Sequence, residues 1–154
     1  LLKKFIYQNI SNIYSMVKVL RQFTVRKLKE PPEKTVDDDI EWVCNSLGFI
    51  TLRDQEKTAY VILKSLVQAA SKGTGLTSEE LSKKVSPTVG SVIYHLKRLM
   101  KAGLVVKLES RYELRMNSLV KTIDELEKEV VSTLEDIKKI SEDVDKQVGL
   151  EHRT

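Results

Sequence analysis

Apolar residues recur along this chain at steps of three and four almost throughout and change to strict alternation in one stretch, a pattern that predicts a mainly α protein with one β-hairpin. The first stripe, Leu2, Ile6, Ile10, Ile13, Val17 and Leu20, is reinforced by Phe5 and Tyr14 and ends where the chain turns basic and breaks at Pro31-Pro32. A short acidic helix follows. Thr35 can cap it, Asp37, Asp38 and Asp39 suit the positive end of its dipole, Gly48 can end it, and Ile40, Val43 and Leu47 form its inner side. Asp54 can cap the next helix, residues 55–71, whose inner stripe is Ala59, Ile62, Leu63, Leu66 and Val67 and whose stop is Gly73-Thr74-Gly75.

Two short-range signals then split the middle of the chain. Thr77 with Glu80 makes a capping box opening a helix over 78–85. Ser86 before Pro87 opens a second, over 87–102, because Pro brings a preset φ and lacks only an N–H that the first helical turn leaves unpaired. Gly103 is placed to take the left-handed conformation beyond it. Along this second helix Val92, Leu96 and Leu99 form one apolar stripe, which leaves Thr88, Ser91, Tyr94, Lys97, Arg98 and Lys101 on the other side.

The alternating stretch sets Leu104, Val106 and Leu108 against Tyr112, Leu114 and Met116. If all these apolar residues share a face, Leu108 pairs with Tyr112, Val106 with Leu114 and Leu104 with Met116, and Lys107 faces Glu113. The loop is then Glu109-Ser110-Arg111. Arg111 at its tip either reaches a phosphate backbone or minor groove or is a solvated turn residue. The last third reads as one long helix from 117 or 118 to about 148, with Leu119, Ile123, Leu126, Val130, Leu134, Ile137, Ile140, Val144 and Val148 in one sustained stripe. Their mean step is near 3.6, which predicts a nearly straight helix packed on neighbours rather than a long supercoil. Such a stripe pairs two protomers or folds back on the chain's own N-terminal segment. The predicted units are 1–30, 31–53, 54–116 and 117–154.

Charge sharpens the picture. The whole chain carries a formal net charge of +4, yet Lys83 to Arg115 alone holds eight Lys or Arg against two Glu. That excess lies on the second helix and its surroundings, together with hydroxyls and an aromatic ring. These groups bind phosphate oxygens and base edges, and a basic strip of this kind gives salt-dependent affinity for nucleic acid. The candidate contacts on this face are Thr88, Ser91, Tyr94, Lys97, Arg98 and Lys101, with His95, Lys83, Lys84 and Arg111 around them. Gly90 inside the helix costs roughly 1 kcal/mol against Ala, a cost that close approach to DNA would explain. Ile93 fits a thymine methyl or a partner subunit.

Chemistry of other kinds is not indicated. One Cys permits no internal disulfide and suits a reducing cytoplasm, and His95, His152 and Cys44 have no metal-ligand spacing. His95 is expected to orient a neighbour or touch phosphate rather than bind metal. No phosphate-cradling Gly loop and no nucleophile beside a base stands at motif spacing, so no enzyme, cofactor or catalytic residue is predicted. Lys3, Lys4, Gln8, Asn9, Asn12 and Lys18 interrupt the N-terminal stripe, which is neither a membrane span nor a signal peptide. It is expected to pack on the C-terminal helix, the alternative being a helix lying on a membrane surface. The chain begins at Leu1, and the missing Met predicts that part of the native start lies upstream.

The string Thr77-x-x-Glu80-Leu81, the turn, Tyr94-His95-Leu96-Lys97-Arg98-Leu99 and Ala102-Gly103-Leu104-Val105 resembles the ArsR-like and MarR-like winged helix-turn-helix transcription regulators of archaea and bacteria. The likeness covers residues 54–116. It implies a winged helix-turn-helix flanked by N-terminal helices and a long C-terminal helix, with 87–102 as the recognition helix in the major groove and Val89, Gly90, Ser91, Ile93, Tyr94 and Lys97 nearest the bases. It departs from the family at Ile93, where a small hydroxyl is usual, and at Gly90. The layout of the whole chain also resembles the euryarchaeal regulators of archaellum expression. The resemblance implies a cytoplasmic homodimer that binds promoter DNA, paired through the long helix, with the acidic helix either facing basal transcription factors or simply capped and solvated. The alternative is a winged helix used as a protein-interaction scaffold in a transcription or chromosome-organising complex. A ligand-gated sensor would need a pocket between the long helices.

Overall fold

The computed structural model describes residues 1–4, 18–31, 34–54, 56–85 and 88–150. Most of the N-terminal stripe, from Phe5 to Val17, lies outside them, as do Ser86, Pro87 and His152. In chain order the elements are α1 (Val36–Ser46), α2 (Thr58–Ser71), β1 (Leu76–Thr77), α3 (Ser78–Lys84), α4 (Val89–Lys101), β2 (Val105–Leu108), β3 (Arg111–Leu114) and α5 (Leu119–Val148). The fold is mainly helical, with a small antiparallel sheet in the order β1-β3-β2 and a long C-terminal helix.

Each helix starts where a side chain satisfies a free amide. The Thr35 hydroxyl accepts from the Asp38 N–H, and the Thr77 and Glu80 side chains close a reciprocal capping box. Two predicted starts move. The helix expected from residue 55 begins at Thr58, because Lys57 takes a left-handed φ of 51° and Asp54 reaches across the turn to accept the Thr58 N–H at 3.1 Å. The helix expected from Pro87 begins at Val89, where Thr88 is extended and its hydroxyl accepts from the Ser91 N–H. Thr88 is a favourable cap residue, and it stands closer than Ser86 in sequence to the buried stripe that fixes the helix.

One core joins these elements. Ile40, Cys44 and Phe49 meet Ile62, Leu63 and Leu66 of α2, Val92, Leu96 and Leu99 of α4, and Leu104, Val105, Tyr112 and Leu114 of the hairpin. Thus α1 shares the core rather than lying on its surface. Burial pushes the Cys44 thiol up to about 12, with Glu41 adding to the shift, so it stays protonated. Gly75 permits the closest backbone approach. A Cβ there would lie 2.7 Å from the Tyr112 carbonyl oxygen, so this glycine lets β1 pair with β3.

The hairpin register differs from the expected one by a single residue. Val105 faces Leu114, Lys107 faces Tyr112 and Leu108 faces Arg111, leaving a loop of Glu109-Ser110. Leu104 follows left-handed Gly103 and fills the core before the strand begins, so alternation starts at Val105 rather than at Leu104. Leu108 and Met116 are consequently exposed, and the Lys107 ammonium sits 5.5 Å from the Tyr112 ring centroid instead of pairing with Glu113. Glu109 takes the positive φ, 58°, that two-residue hairpin turns require at their first position.

Residues 18–31 form an extended strap. The Gln22 N–H donates to the Lys101 carbonyl at 3.1 Å, and the Arg26 N–H donates to the Ser46 carbonyl at 2.7 Å. The strap therefore covers the C-terminal ends of both α4 and α1. Left-handed Gly48 admits it closely, since a Cβ there would meet the Thr24 side chain at 2.6 Å. Arg21 ties the strap to α5 through Glu129 at 2.9 Å, and Arg115 grips the same carboxylate at 2.6 Å.

The register can be tested by truncation. Val105→Ala is expected to cost about 2 kcal/mol in denaturant unfolding, and Leu108→Ala below about 0.5 kcal/mol. Equal costs, or the reverse order, would contradict the observed pairing.

Candidate nucleic-acid interface

The candidate surface begins with the anchored face of α4. Val92, Leu96 and Leu99 are fully buried, which fixes the rotation of the helix about its axis. Thr88, Gly90, Tyr94, Lys97 and Lys101 are then exposed, and Ser91 and Ile93 are half-buried. Tyr94 is 60% exposed, an unusual position for an aromatic ring unless something covers it. Lys83 and Lys84, at the end of α3, are exposed as well. Val89 is 37% exposed at the first helical position.

Three expected contact residues are placed otherwise. His95 is buried, with its ring edge-on to Tyr94 at 5.2 Å, because it follows the apolar stripe rather than the polar face. Burial lowers its pKa; Asp54 opposes that shift and Arg98 adds to it. The Nδ1 atom of His95 and Oδ2 of Asp54 are both buried without a hydrogen-bond partner. Arg111 is not at a loop tip. It opens β3, and its guanidinium donates to the Gly75 carbonyl at 2.9 Å and reaches Glu80 at 3.5 Å. Its guanidinium is thus turned toward Gly75 and Glu80 with about half of the side chain still exposed, and Glu109-Ser110 form the tip. Arg98 is half-buried, lies 5.6 Å from the Phe49 ring centroid and 6.0 Å from that of Tyr94, and donates weakly to the Gly48 carbonyl. It buttresses Tyr94 from the side.

Structure also brings in residues that the sequence pattern missed. An open cleft of about 1150 Å³ lies beside α4, and Arg26 from the strap and Arg53 from the loop before α2 line it together with Ser91, Tyr94 and Arg98. No local signal marks Arg26 or Arg53, which are remote from α4 in sequence and reach it only through the docking of the strap and the loop.

The stripe expected to pair protomers divides in two. Leu126 is buried against the chain's own core, Ile123 and Val130 pack on that core, and Leu119 is half-buried. Leu134, Ile137, Ile140 and Val144 are 51–66% exposed. On α1 the acidic face is partly engaged, since Asp37 pairs with Lys64 at 2.8 Å and Glu41 with Lys57. Among the described residues no cluster of three or more His, Cys, Asp or Glu could hold a metal ion, and no helix is long and apolar enough to cross a membrane. No protein-family model, curated protein or solved structure matches this chain.

His95 generates a pH dependence. Its folded pKa lies below the unfolded value of 6.5, so the unfolded chain binds the proton first. Stability is therefore full above that value and falls as pH drops below it toward the depressed folded pKa. Urea midpoints between pH 7.5 and about pH 5 are expected to show this step in the wild type and not in His95→Gln; a step of the same size in both would refute it.

Proposed function

We propose that this chain is a winged helix-turn-helix, sequence-specific regulator of transcription that binds double-stranded promoter DNA as a cytoplasmic homodimer. In this reading α3 and α4 are the helix-turn-helix, α4 is the recognition helix, and β2-β3 is a short wing. The observation that carries it is the outward face of α4. Thr88, Ser91, Tyr94, Lys97 and Lys101 follow one another at helical spacing opposite a fully buried stripe, and Lys83 and Lys84 flank them.

Hydroxyls and cations at these positions suit backbone positioning. Tyr94, Ser91 and Gly90, near the N-terminal half of the helix, suit base edges. Dimerisation through the bare distal half of α5 would set two such helices about 34 Å apart, one turn of duplex. The likeness to ArsR-like and MarR-like regulators supports the same reading. Its activity is binding rather than catalysis.

A second reading has its own observation. Val89 and Ile93 stand one turn apart on α4 with part of their surface exposed, as a protein-binding scaffold in a transcription or chromosome-organising complex would require. The two differ in what Tyr94 and Lys97 do.

Binding to a labelled promoter-derived duplex, with unrelated duplex as competitor, separates them. Tyr94→Ala with Lys97→Ala is expected to lose at least tenfold in specific affinity, about 1.4 kcal/mol or more, with an unchanged melting temperature. Weak binding that is equal on all sequences and untouched by the double change favours the scaffold. For the dimer, Leu134→Asp with Ile137→Asp is expected to convert a dimer to a folded monomer in light scattering and to weaken duplex binding. A wild type that is monomeric at all concentrations would refute pairing through this face.

A further inference from the structure

The cleft beside α4 contains two arginines, Arg26 and Arg53, that neither the helix-turn-helix nor the long helix accounts for. Arg26, Arg53 and Arg98 enter it from three separate parts of the chain, the strap, the loop before α2 and α4 itself. Among the described residues none of the three is paired with a carboxylate, whereas Arg21, Arg111 and Arg115 each are. Asp54 also lines the cleft, but one of its oxygens is occupied as the acceptor for the first amide of α2, and Glu56 at the exposed rim is the other carboxylate there. Three guanidiniums and two carboxylates thus line the cleft, an excess of one positive charge. Arg98 has the Phe49 and Tyr94 rings beside it, but Arg26 and Arg53 have no carboxylate partner among the described residues, and an external anion would supply one.

The shape and position of the cleft select the anion. It is open rather than enclosed, and Ser91 and Tyr94 belong to both the cleft and the outward face of α4. A group bound in it lies directly beside whatever α4 reads. DNA has such a group, since phosphates line the edge of each groove and the contacts that position a protein on duplex go to them.

We infer that this cleft is a second contact with the DNA backbone, in which Arg26 of the strap and Arg53 of the loop hold phosphates flanking the groove occupied by α4. The inference rests on the DNA-binding reading and extends it to residues outside the helix-turn-helix. The strap thereby has two roles. Its backbone covers the ends of α4 and α1 through Gln22 and Arg26, and the exposed Arg26 side chain, bonded at 3.4 Å to Asn45, lines the cleft.

Phosphate contacts carry no sequence information, so they have a distinct signature. Each neutralised phosphate contributes about 0.9 to the slope of log K against log salt on duplex DNA. The full chain with Arg26→Gln and Arg53→Gln is expected to lose about 1.8 from that slope, equally on promoter and unrelated duplex, leaving the ratio of the two affinities unchanged. Between 50 and 200 mM salt the wild type should then lose about twelvefold more affinity than the variant does.

Lys138→Gln with Lys139→Gln, which removes the same two charges from exposed distal α5, is expected to leave the slope unaltered. If Arg26→Gln loosens the strap and lowers the melting temperature, Arg53→Gln alone is measured, with an expected loss of about 0.9. An unchanged slope overturns the inference. A fall in the promoter-to-unrelated ratio also overturns it, since the arginines would then be reading bases. A wild type that binds no duplex removes the DNA-binding reading itself, and the inference with it. Duplex binding with an unchanged slope removes only the inference.

Discussion

Burial of Val92, Leu96 and Leu99 is the constraint on which the rest of the structure depends. Each is fully buried, which is worth about 1.5–3 kcal/mol per side chain, and together they leave α4 a single rotational setting. A turn of about 100°, one residue, would expose this stripe and bury Tyr94 or Lys97. The outward face is thus a by-product of packing. Whatever Thr88, Ser91, Tyr94, Lys97 and Lys101 bind, their backbone positions are fixed by this packing, and the Arg98 guanidinium lies over the Tyr94 ring.

A second constraint is electrostatic and connects distant parts of the chain. Burial opposes the charge on Glu129, but the guanidiniums of Arg115 and Arg21 more than offset this and hold its carboxyl below the usual range. One carboxylate on α5 therefore fastens both the strap and the residue that follows β3. Arg21 also donates to the Met100 carbonyl at the end of α4. The strap, the hairpin and the long helix are in this way referred to the same end of the helix proposed to read DNA. A change in how α5 is held would be felt there first.

The long helix itself is two objects. Its first turns belong to the core through Thr122 and Leu126, and Thr122 accepts from the Met116 N–H, which fixes the turn out of the hairpin. Beyond Val130 its apolar residues have no neighbour among the described residues of this chain. An exposed apolar stripe of this length favours a covering partner, and the proposed pairing of protomers would supply one.

How much of this was legible in the sequence follows from the range of the forces involved. Caps, stops and stripes act within a few residues. Thr35, the Thr77–Glu80 box, Gly103, the Val92–Leu96–Leu99 stripe and the ends of α5 at Ser118 and Gly149 were accordingly readable from neighbours alone. Alternation predicted a hairpin but not its register, because Leu104 is buried by the core ahead of the strand and shifts the pattern by one. Likewise β1 has too few residues to show a period, and exists because Gly75 lets it approach β3. Spacing put His95 among the contact residues and Arg111 at a tip, but packing buried the first and an ion pair with Glu80 took the second. Local sequence determined the helices and the polar face of α4, since those depend on period and cap chemistry. Only the tertiary structure decided which cations remain free and which distant arginines join them, because that depends on which carboxylates and carbonyls come within reach when the chain closes on its core.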